Sequence, residues 1–273
     1  MTDAVPDRAT QHPSLSRLWA AYGRGSALLW QTAPDAHIDI GPHASLTLSG
    51  EPSIEMNWGV VDAGGDAPDL LRGFAATIRE RRLDAYLMAT SAAAPVLEPV
   101  AGDLGLAFEG ASPLMVRRRT HERAFVIEQE TITVERVTDE WALDDVSATL
   151  TSAFSTPAGA IQRAFAPTML SIPGLDVFVL RFSGEAAGAV VTTRIDDLVG
   201  FWAMGTVPEL RRRHLGRRLL EAVIDHHGHL ADPPDWFVLV ASSMGRPLYE
   251  TLGFAVVDEA RNMDVLAAPP ASA

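Results

Sequence analysis

The stretch from Leu198 to Val223 constrains this chain more than any other. An apolar run rich in strand formers, Leu198-Val-Gly-Phe-Trp-Ala-Met-Gly-Thr-Val207, stops at Pro208, which cannot donate to a sheet ladder. Arg211-Arg-Arg-His-Leu-Gly-Arg-Arg218 follows, and Leu215, Leu219, Leu220 and Val223 recur at helical spacing. The order is therefore strand, basic turn, amphipathic helix, with Arg217, Arg218, Glu221 and Asp225 on the outer face. The first N–H groups of a helix lack intrahelical acceptors and sit at the positive end of its dipole, so such a turn is suited to holding a phosphate.

A second passage reads the same way. Trp236-Phe-Val-Leu-Val-Ala241 is a strand, and Ser242-Ser-Met-Gly-Arg-Pro-Leu-Tyr-Glu-Thr-Leu-Gly-Phe254 is a loop, a short helix and the start of another strand. Pro247 suits a first helical turn and Gly253 the left-handed residue after a helix. Tyr249 lies between them, and its residue type alone leaves open a packing ring or a proton donor.

In this order and separation the two passages resemble the GCN5-related N-acetyltransferase (GNAT) superfamily, over roughly residues 131 to 266. The family's acyl-CoA motif, Arg/Gln-x-x-Gly-x-Gly/Ala, falls on Arg211, His214 and Gly216, with histidine in place of one glycine. Its later segment falls on Ser242, Tyr249, Leu252, Gly253 and Phe254, with serine where asparagine is commoner. The resemblance implies an α+β fold, a mixed sheet flanked by helices (the acyl-CoA N-acyltransferase fold), with acetyl-CoA as acyl donor. Backbone groups of Met204, Gly205, Thr206 and Val207 would then pair with the pantetheine amides. The N–H groups of Arg212, Arg213, His214, Leu215, Gly216 and Arg217 would wrap the pyrophosphate, Gly216 allowing close approach. Ser242 would help orient the cofactor, Tyr249 would protonate the departing thiolate, and the N–H of Thr206 or Val207 would face the oxyanion. A positive φ at His214 would weaken affinity without abolishing it.

The same pattern repeats faintly upstream. Leu46 to Leu48, Met56 to Val61 and Ala85 to Thr90 read as strands, Pro68 to Leu83 and Val96 to Leu104 as helices, and Gly105 to Phe108 echoes Gly253-Phe254. The expected organisation is two similar halves: a degenerate copy over residues 1–120, a linker over 121–130 and the acetyltransferase domain over 131–268. In the first copy the chain after Asp62 carries Asp66 and Asp69 where cofactor phosphates would sit, and two carboxylates repel a pyrophosphate. Within the second half, Thr131 to Val137 reads as a strand, Glu140 to Phe154 as a helix with Trp141, Val146 and Leu150 inward, and Pro157 to Leu170 as another helix. Asp176 to Phe182 and Ala187 to Arg194 read as a hairpin across Ser183-Gly-Glu.

Composition excludes other chemistries. With no cysteine there is no disulfide, thiolate metal site or cysteine acyl-enzyme, so transfer would be direct. All 22 basic side chains are arginine, which removes a Walker-type phosphate loop and a Schiff-base lysine. The formal charge of −13 opposes binding to nucleic acid or an anionic membrane. Met1 to Arg8 lacks a signal peptide's basic start and apolar run, so a cytoplasmic location is expected. Asp225-His-His-Gly-His229 reads as a helix end capped by Gly228, not a metal site.

The expected partner is an amine acceptor, a small molecule or a polypeptide; oligomeric state is not legible. No glutamate occupies the interior of the Leu198 to Val207 strand, which leaves Asp196, Asp197 or an ordered water as the general base. The alternative function is a noncatalytic acyl-CoA sensor that keeps the cradle without transferring the group.

Overall fold

The computed structural model describes residues 12–64, 66–120 and 131–267; the expected linker over 121–130 lies outside them. The first half runs α1 (Leu15–Trp30), β1 (His37–Ile40), β2 (Ala44–Leu48), β3 (Asn57–Val61), α2 (Ala67–Arg81), β4 (Ala85–Ala89), α3 (Ala94–Asp103) and β5 (Ala111–Arg118). The second runs β6 (Ile132–Arg136), α4 (Glu140–Phe154), α5 (Ala160–Ala164), β7 (Leu175–Phe182), β8 (Glu185–Ile195), β9 (Leu198–Thr206), α6 (Leu215–Gly228), β10 (Trp236–Val240), α7 (Arg246–Thr251) and β11 (Ala255–Val265). From β2 and from β8 onward both halves repeat strand, strand, helix, strand, helix, strand. Gly105 after α3 and Gly253 after α7 both take positive φ, 69° and 81°.

All 11 strands join one mixed sheet in the order β1-β2-β3-β4-β11-β5-β10-β9-β8-β7-β6. The halves exchange their last strands. β5 pairs with β10 of the second half, and β11 pairs with β4 of the first. β5 and β11 also pair with each other, so one ladder runs through both copies.

Two faces cover this sheet. On one, α1, α4 and α5 share a single core that reaches from Met56 and Val60 to Val191 and Trp202. On the other, α2 and α3 pack over the first half, while α6 and α7 pack over the second. α1 lies inside a curl of the sheet. A Cβ on Gly23 would sit 2.6 Å from Ser45 Oγ of β2, and one on Gly25 would sit 2.5 Å from Thr193 Oγ1 of β8. Those two glycines, needed for contact on both sides, are poor helix formers and give the helix no local signal in the sequence. Ser14 starts it, its Oγ accepting from Arg17 N at 3.3 Å.

Two local expectations are corrected. Trp141 points outward at 87% exposure, while Leu143, Val146, Leu150 and Ala153 form the buried stripe of α4. At about 100° per residue, Trp141 falls on the opposite side from Leu143. The helix expected over 157–170 is broken into α5 and a 3-10 turn over Pro167–Ser171. Pro167 forces Ala166 into extended backbone at ψ 144°. The hairpin at Ser183-Gly184 forms as read, with φ of 53° and 88°.

Candidate active site

β9 and β10 run parallel and then part. Their register covers Leu198↔Trp236, Val199↔Phe237 and Gly200↔Val238, and beyond it the two strands continue to Thr206 and Val240 without pairing with each other. The equivalent pair in the first half stays closed. β3 and β4 are in register from Trp58↔Tyr86 to Val61↔Ala89, and Thr90 N then donates to Val61 O at 3.1 Å. Thr90 Oγ1 and Ser16 Oγ also donate to the buried Asp62 carboxylate at 2.8 and 2.9 Å, sealing that end.

A bulge accompanies the opening in β9. Ala189 faces Gly205 and Val191 faces Trp202, so Val190 opposes two residues, Ala203 and Met204. Ala203 has φ 47°. A bulge bends its strand and increases the local twist, which carries β9 away from β10. Alanine gives no sequence cue for this conformation. Beyond the bulge, Val207 N donates to Ala187 O at 3.0 Å and Leu210 N donates to Val207 O at 3.1 Å. Val207 therefore has no free backbone group for a cofactor or an oxyanion, contrary to expectation. Strand alternation turns the N–H groups of Met204 and Thr206 to the open side. Gly205 has a packing reason: a Cβ there would lie 2.7 Å from Ala153 Cβ on α4.

The basic turn closes the same end of β9. Arg212 and His214 have φ 63° and 61°, so both take the left-handed conformation. The first amide of α6 with a backbone partner is that of Arg218, which donates to His214 O at 3.1 Å. Among the described residues, the N–H groups of residues 212–217 have no acceptor. Left-handed residues in such a run fold successive N–H groups into a concavity for an anion.

The arginines divide their work. Arg211 turns inward, donating from Nη2 to Ala153 O at 2.7 Å and from Nε to Thr206 O at 3.2 Å, and so ties the turn to α4 and β9. Arg213 sits over the Phe182 ring at 5.8 Å, and Arg217 pairs with Glu221 at 2.8 Å. Arg212 is exposed and makes no ion pair among the described residues. Leu215 is buried. Gly216 serves packing more directly than ligand approach: a Cβ would meet Met204 Cε at 2.8 Å and Leu248 Cδ2 at 3.4 Å.

Those contacts bring α7 against the start of α6. Tyr249 is 8% exposed, its ring 5.9 Å from that of Phe254, and its hydroxyl has no hydrogen-bond partner among the described residues. Burial pushes that hydroxyl up to about 12, so it stays protonated at neutral pH. Ser242 Oγ accepts from Gly245 N at 3.1 Å, so the serine acts locally as a cap for the turn into α7.

The comparisons with known proteins bear on this geometry. The sequence model of the acetyltransferase (GNAT) domain matches residues 173–256, which span the splayed strands, the basic turn and Tyr249. This chain carries a GNAT domain. It is accordingly an acyltransferase. Among solved structures it is similar to a GCN5-related N-acetyltransferase from Kribbella flavida, at TM-score 0.65 and 17% identity over 91% of this chain and 94% of the other. Another from Sphaerobacter thermophilus aligns at TM-score 0.61 and 15% identity, covering 95% and 96%. A tandem GNAT protein from the clavulanic acid biosynthesis pathway aligns at TM-score 0.59 and 16% identity, covering 94% of each chain. At such identities the structures speak for the fold, here across both halves. No curated protein sequence matches the chain.

The GNAT domain's two sequence-suggested bases are misplaced for acting at the gap. Asp196 and Asp197 form the turn between β8 and β9, ion-paired with Arg24 and Arg17 of α1. Nine to ten residues of extended chain place them about 30 Å from Thr206. In the histidine run at the end of α6, His227 is a packing residue. His227 is 2% exposed and its Nε2 lies 3.0 Å from Thr192 Oγ1. Gly228 is the last helical residue rather than a left-handed cap, and His229 follows at φ −102°. No group of side chains that could hold a metal occurs among the described residues, nor is any helix there long and apolar enough to cross a membrane.

Proposed function

We propose that the protein transfers an acetyl group from acetyl-CoA directly to an amine, a small molecule's or a polypeptide's. The observation that carries this reading is the continuity of the gap between β9 and β10 with the partnerless N–H groups of residues 212–217. These amides, with Arg212 and Arg213 beside them, suit a pyrophosphate. The open edge of β9 at Met204 suits an amide of a pantetheine arm, taken up like an added strand, and leaves the Thr206 N–H free for the thioester. Gly205 and Gly216 shape this edge through packing, and Leu215 anchors the turn in the core. Ser242 holds the loop that closes the other side.

In the transfer a carbon–nitrogen bond forms as the thioester carbon–sulfur bond breaks, and the sulfur leaves as a thiol. Thr206 N–H is the donor for the developing oxyanion, and Tyr249 supplies the proton to the sulfur. Its raised pKa favours the protonated form that the role requires. The amine must lose its proton to water or to the acceptor's own surroundings, since neither Asp196 nor Asp197 reaches the gap.

The first half, residues 1–120, contributes no second cofactor site in this reading. Its β3 and β4 remain paired where β9 and β10 part, and Asp62 occupies the strand end. Calorimetry with acetyl-CoA, together with thiol release over a panel of amines, tests the proposal. One molecule bound per chain with amine-dependent thiol release supports it. Binding without release makes the protein an acyl-CoA sensor, and no binding at millimolar acetyl-CoA ends both readings.

A further inference from the structure

The concave face of the sheet is incompletely covered where β9 leaves β10. Trp58, Tyr86, Ala203, Val240 and Val257 all pack against the core of that face, yet each remains partly exposed. They stand on strands in the sheet's interior, not on its edges. Leu114 beneath them is fully buried. Interior-strand side chains on a helix-covered face meet solvent only where the covering elements part, so these residues mark a depression floored by Leu114. Val240, the last residue of β10, is in register with Leu114, which places the depression beside the opening.

Both halves build its walls. Trp58 of β3 and Trp202 of β9 stack on each other, with ring planes 10° from parallel and centroids 5.9 Å apart, and so form one continuous aromatic wall. Tyr22 of α1 packs on Trp202 at 4.4 Å, and its hydroxyl has no hydrogen-bond partner among the described residues. The Tyr86 hydroxyl, an electrostatic neighbour of Tyr22, lies 2.9 Å from Ser112 Oγ. A buried tyrosine hydroxyl usually finds a partner, so the one on Tyr22 is available to a ligand.

We propose that this depression is the acceptor subsite and that it takes a small primary amine on a flat apolar body, its polar group hydrogen-bonded to Tyr22. The assignment rests on the acetyl-transfer reading above. Aromatic walls reward a flat apolar body. α1 covers Tyr22 and Trp202, each less than one-tenth exposed, and such limited access favours a compact acceptor over a polypeptide. The first half thus shapes the acceptor site through Tyr22, Trp58 and Tyr86.

The full-length protein is assayed with 2-phenylethylamine and with a peptide bearing a free lysine, and acetyl-CoA binding is measured separately by calorimetry. The expected result is acetylation of 2-phenylethylamine in preference to the peptide. Tyr22→Phe raises the amine KM at least fivefold with the acetyl-CoA Kd unchanged. Should Tyr22→Phe fail to fold, Trp58→Leu at the partly exposed wall is expected to raise the same KM. An unchanged KM in a folded variant overturns the assignment, as does preference for the peptide. Turnover of neither amine by a protein that binds acetyl-CoA overturns it too. Loss of acetyl-CoA binding in the wild type instead removes the acetyl-transfer reading on which it depends.

Discussion

Arg211 and Ala153 are joined by a 2.7 Å hydrogen bond from the guanidinium to the main-chain carbonyl, which links the basic turn to the last turn of α4. A second bond runs from the same side chain to Thr206 O. The first arginine of the run thus fixes where the free amides point, while its neighbours remain outside. A lysine, with one ammonium in place of a planar fork, cannot hold both carbonyls in the same geometry.

Arg211→Ala removes both bonds. Hydrogen bonds to charged groups contribute about 1.5–3 kcal/mol, and Arg211 is largely exposed, so the expected loss of stability is about 1–2 kcal/mol. Acetyl-CoA affinity falls by more than that loss alone explains, because the amides of residues 212–217 lose their fixed direction. Arg211→Lys restores little of either. Denaturant melts paired with calorimetric titration of the two variants check this, and wild-type affinity in a folded Arg211→Ala would show that the turn holds its shape unaided.

Tyr249→Phe keeps the ring against Phe254 and removes only the hydroxyl. Since that hydroxyl has no partner among the described residues, folding is expected to be unaffected. Acetyl-CoA binding persists, and turnover falls at least tenfold in a chemistry-limited assay, a threshold set below the range of about 10²–10⁴ for a positioned general acid. A turnover number equal to that of the wild type would reduce Tyr249 to a packing residue.

The basic turn and the helix after it were legible because both depend on local rules. Leu215, Leu219, Leu220 and Val223 mark one helical face, and the amides at a helix start are free whatever surrounds them. What stayed hidden depends on distant partners. The bulge at Ala203 arises from pairing with Val190, and nothing in the residue type announces a φ of 47°. Gly23 and Gly25 argue locally against a helix and are explained only by the strands that α1 touches, β2 and β8. The exchange of β5 and β11 involves strand order, which alternation within a strand cannot encode. Trp141 is apolar yet faces solvent, because its angular position on α4 and not its bulk decides its side. Trp141→Gln should accordingly leave stability within about 0.5 kcal/mol of the wild type, as expected for a surface change.

Gly205→Ala tests the closest approach between β9 and α4. The added methyl would lie 2.7 Å from Ala153 Cβ, an atom fixed to the helix backbone and unable to swing aside. Overpacking of this kind costs about 1–3 kcal/mol. Any relief must come from shifting β9, whose open edge faces the gap, so acetyl-CoA affinity is expected to fall along with the melting temperature. The double variant Gly205→Ala with Ala153→Gly vacates the space and should recover part of both. A double variant no better than the single one would mean that strain arises elsewhere.

His227 makes the fold sensitive to mild acid. Burial holds its imidazole at about 4, against an ordinary 6.5, and among the described residues its Nδ1 has no hydrogen-bond partner. Because the folded pKa is lowered, the unfolded chain binds the proton first as pH falls, so stability drops from about pH 6.5 down to pH 4. The full effect is about 3 kcal/mol, from 1.36 kcal/mol per pKa unit. Carboxylates titrate toward the lower end of this window, so the quantity to compare is the slope between pH 7 and 5 in wild type and His227→Gln. The variant, unable to take up the proton, is expected to show a flatter profile whatever its stability at neutral pH. Parallel profiles would mean that the imidazole gains its proton within the folded protein, through an opening of α6 away from Thr192.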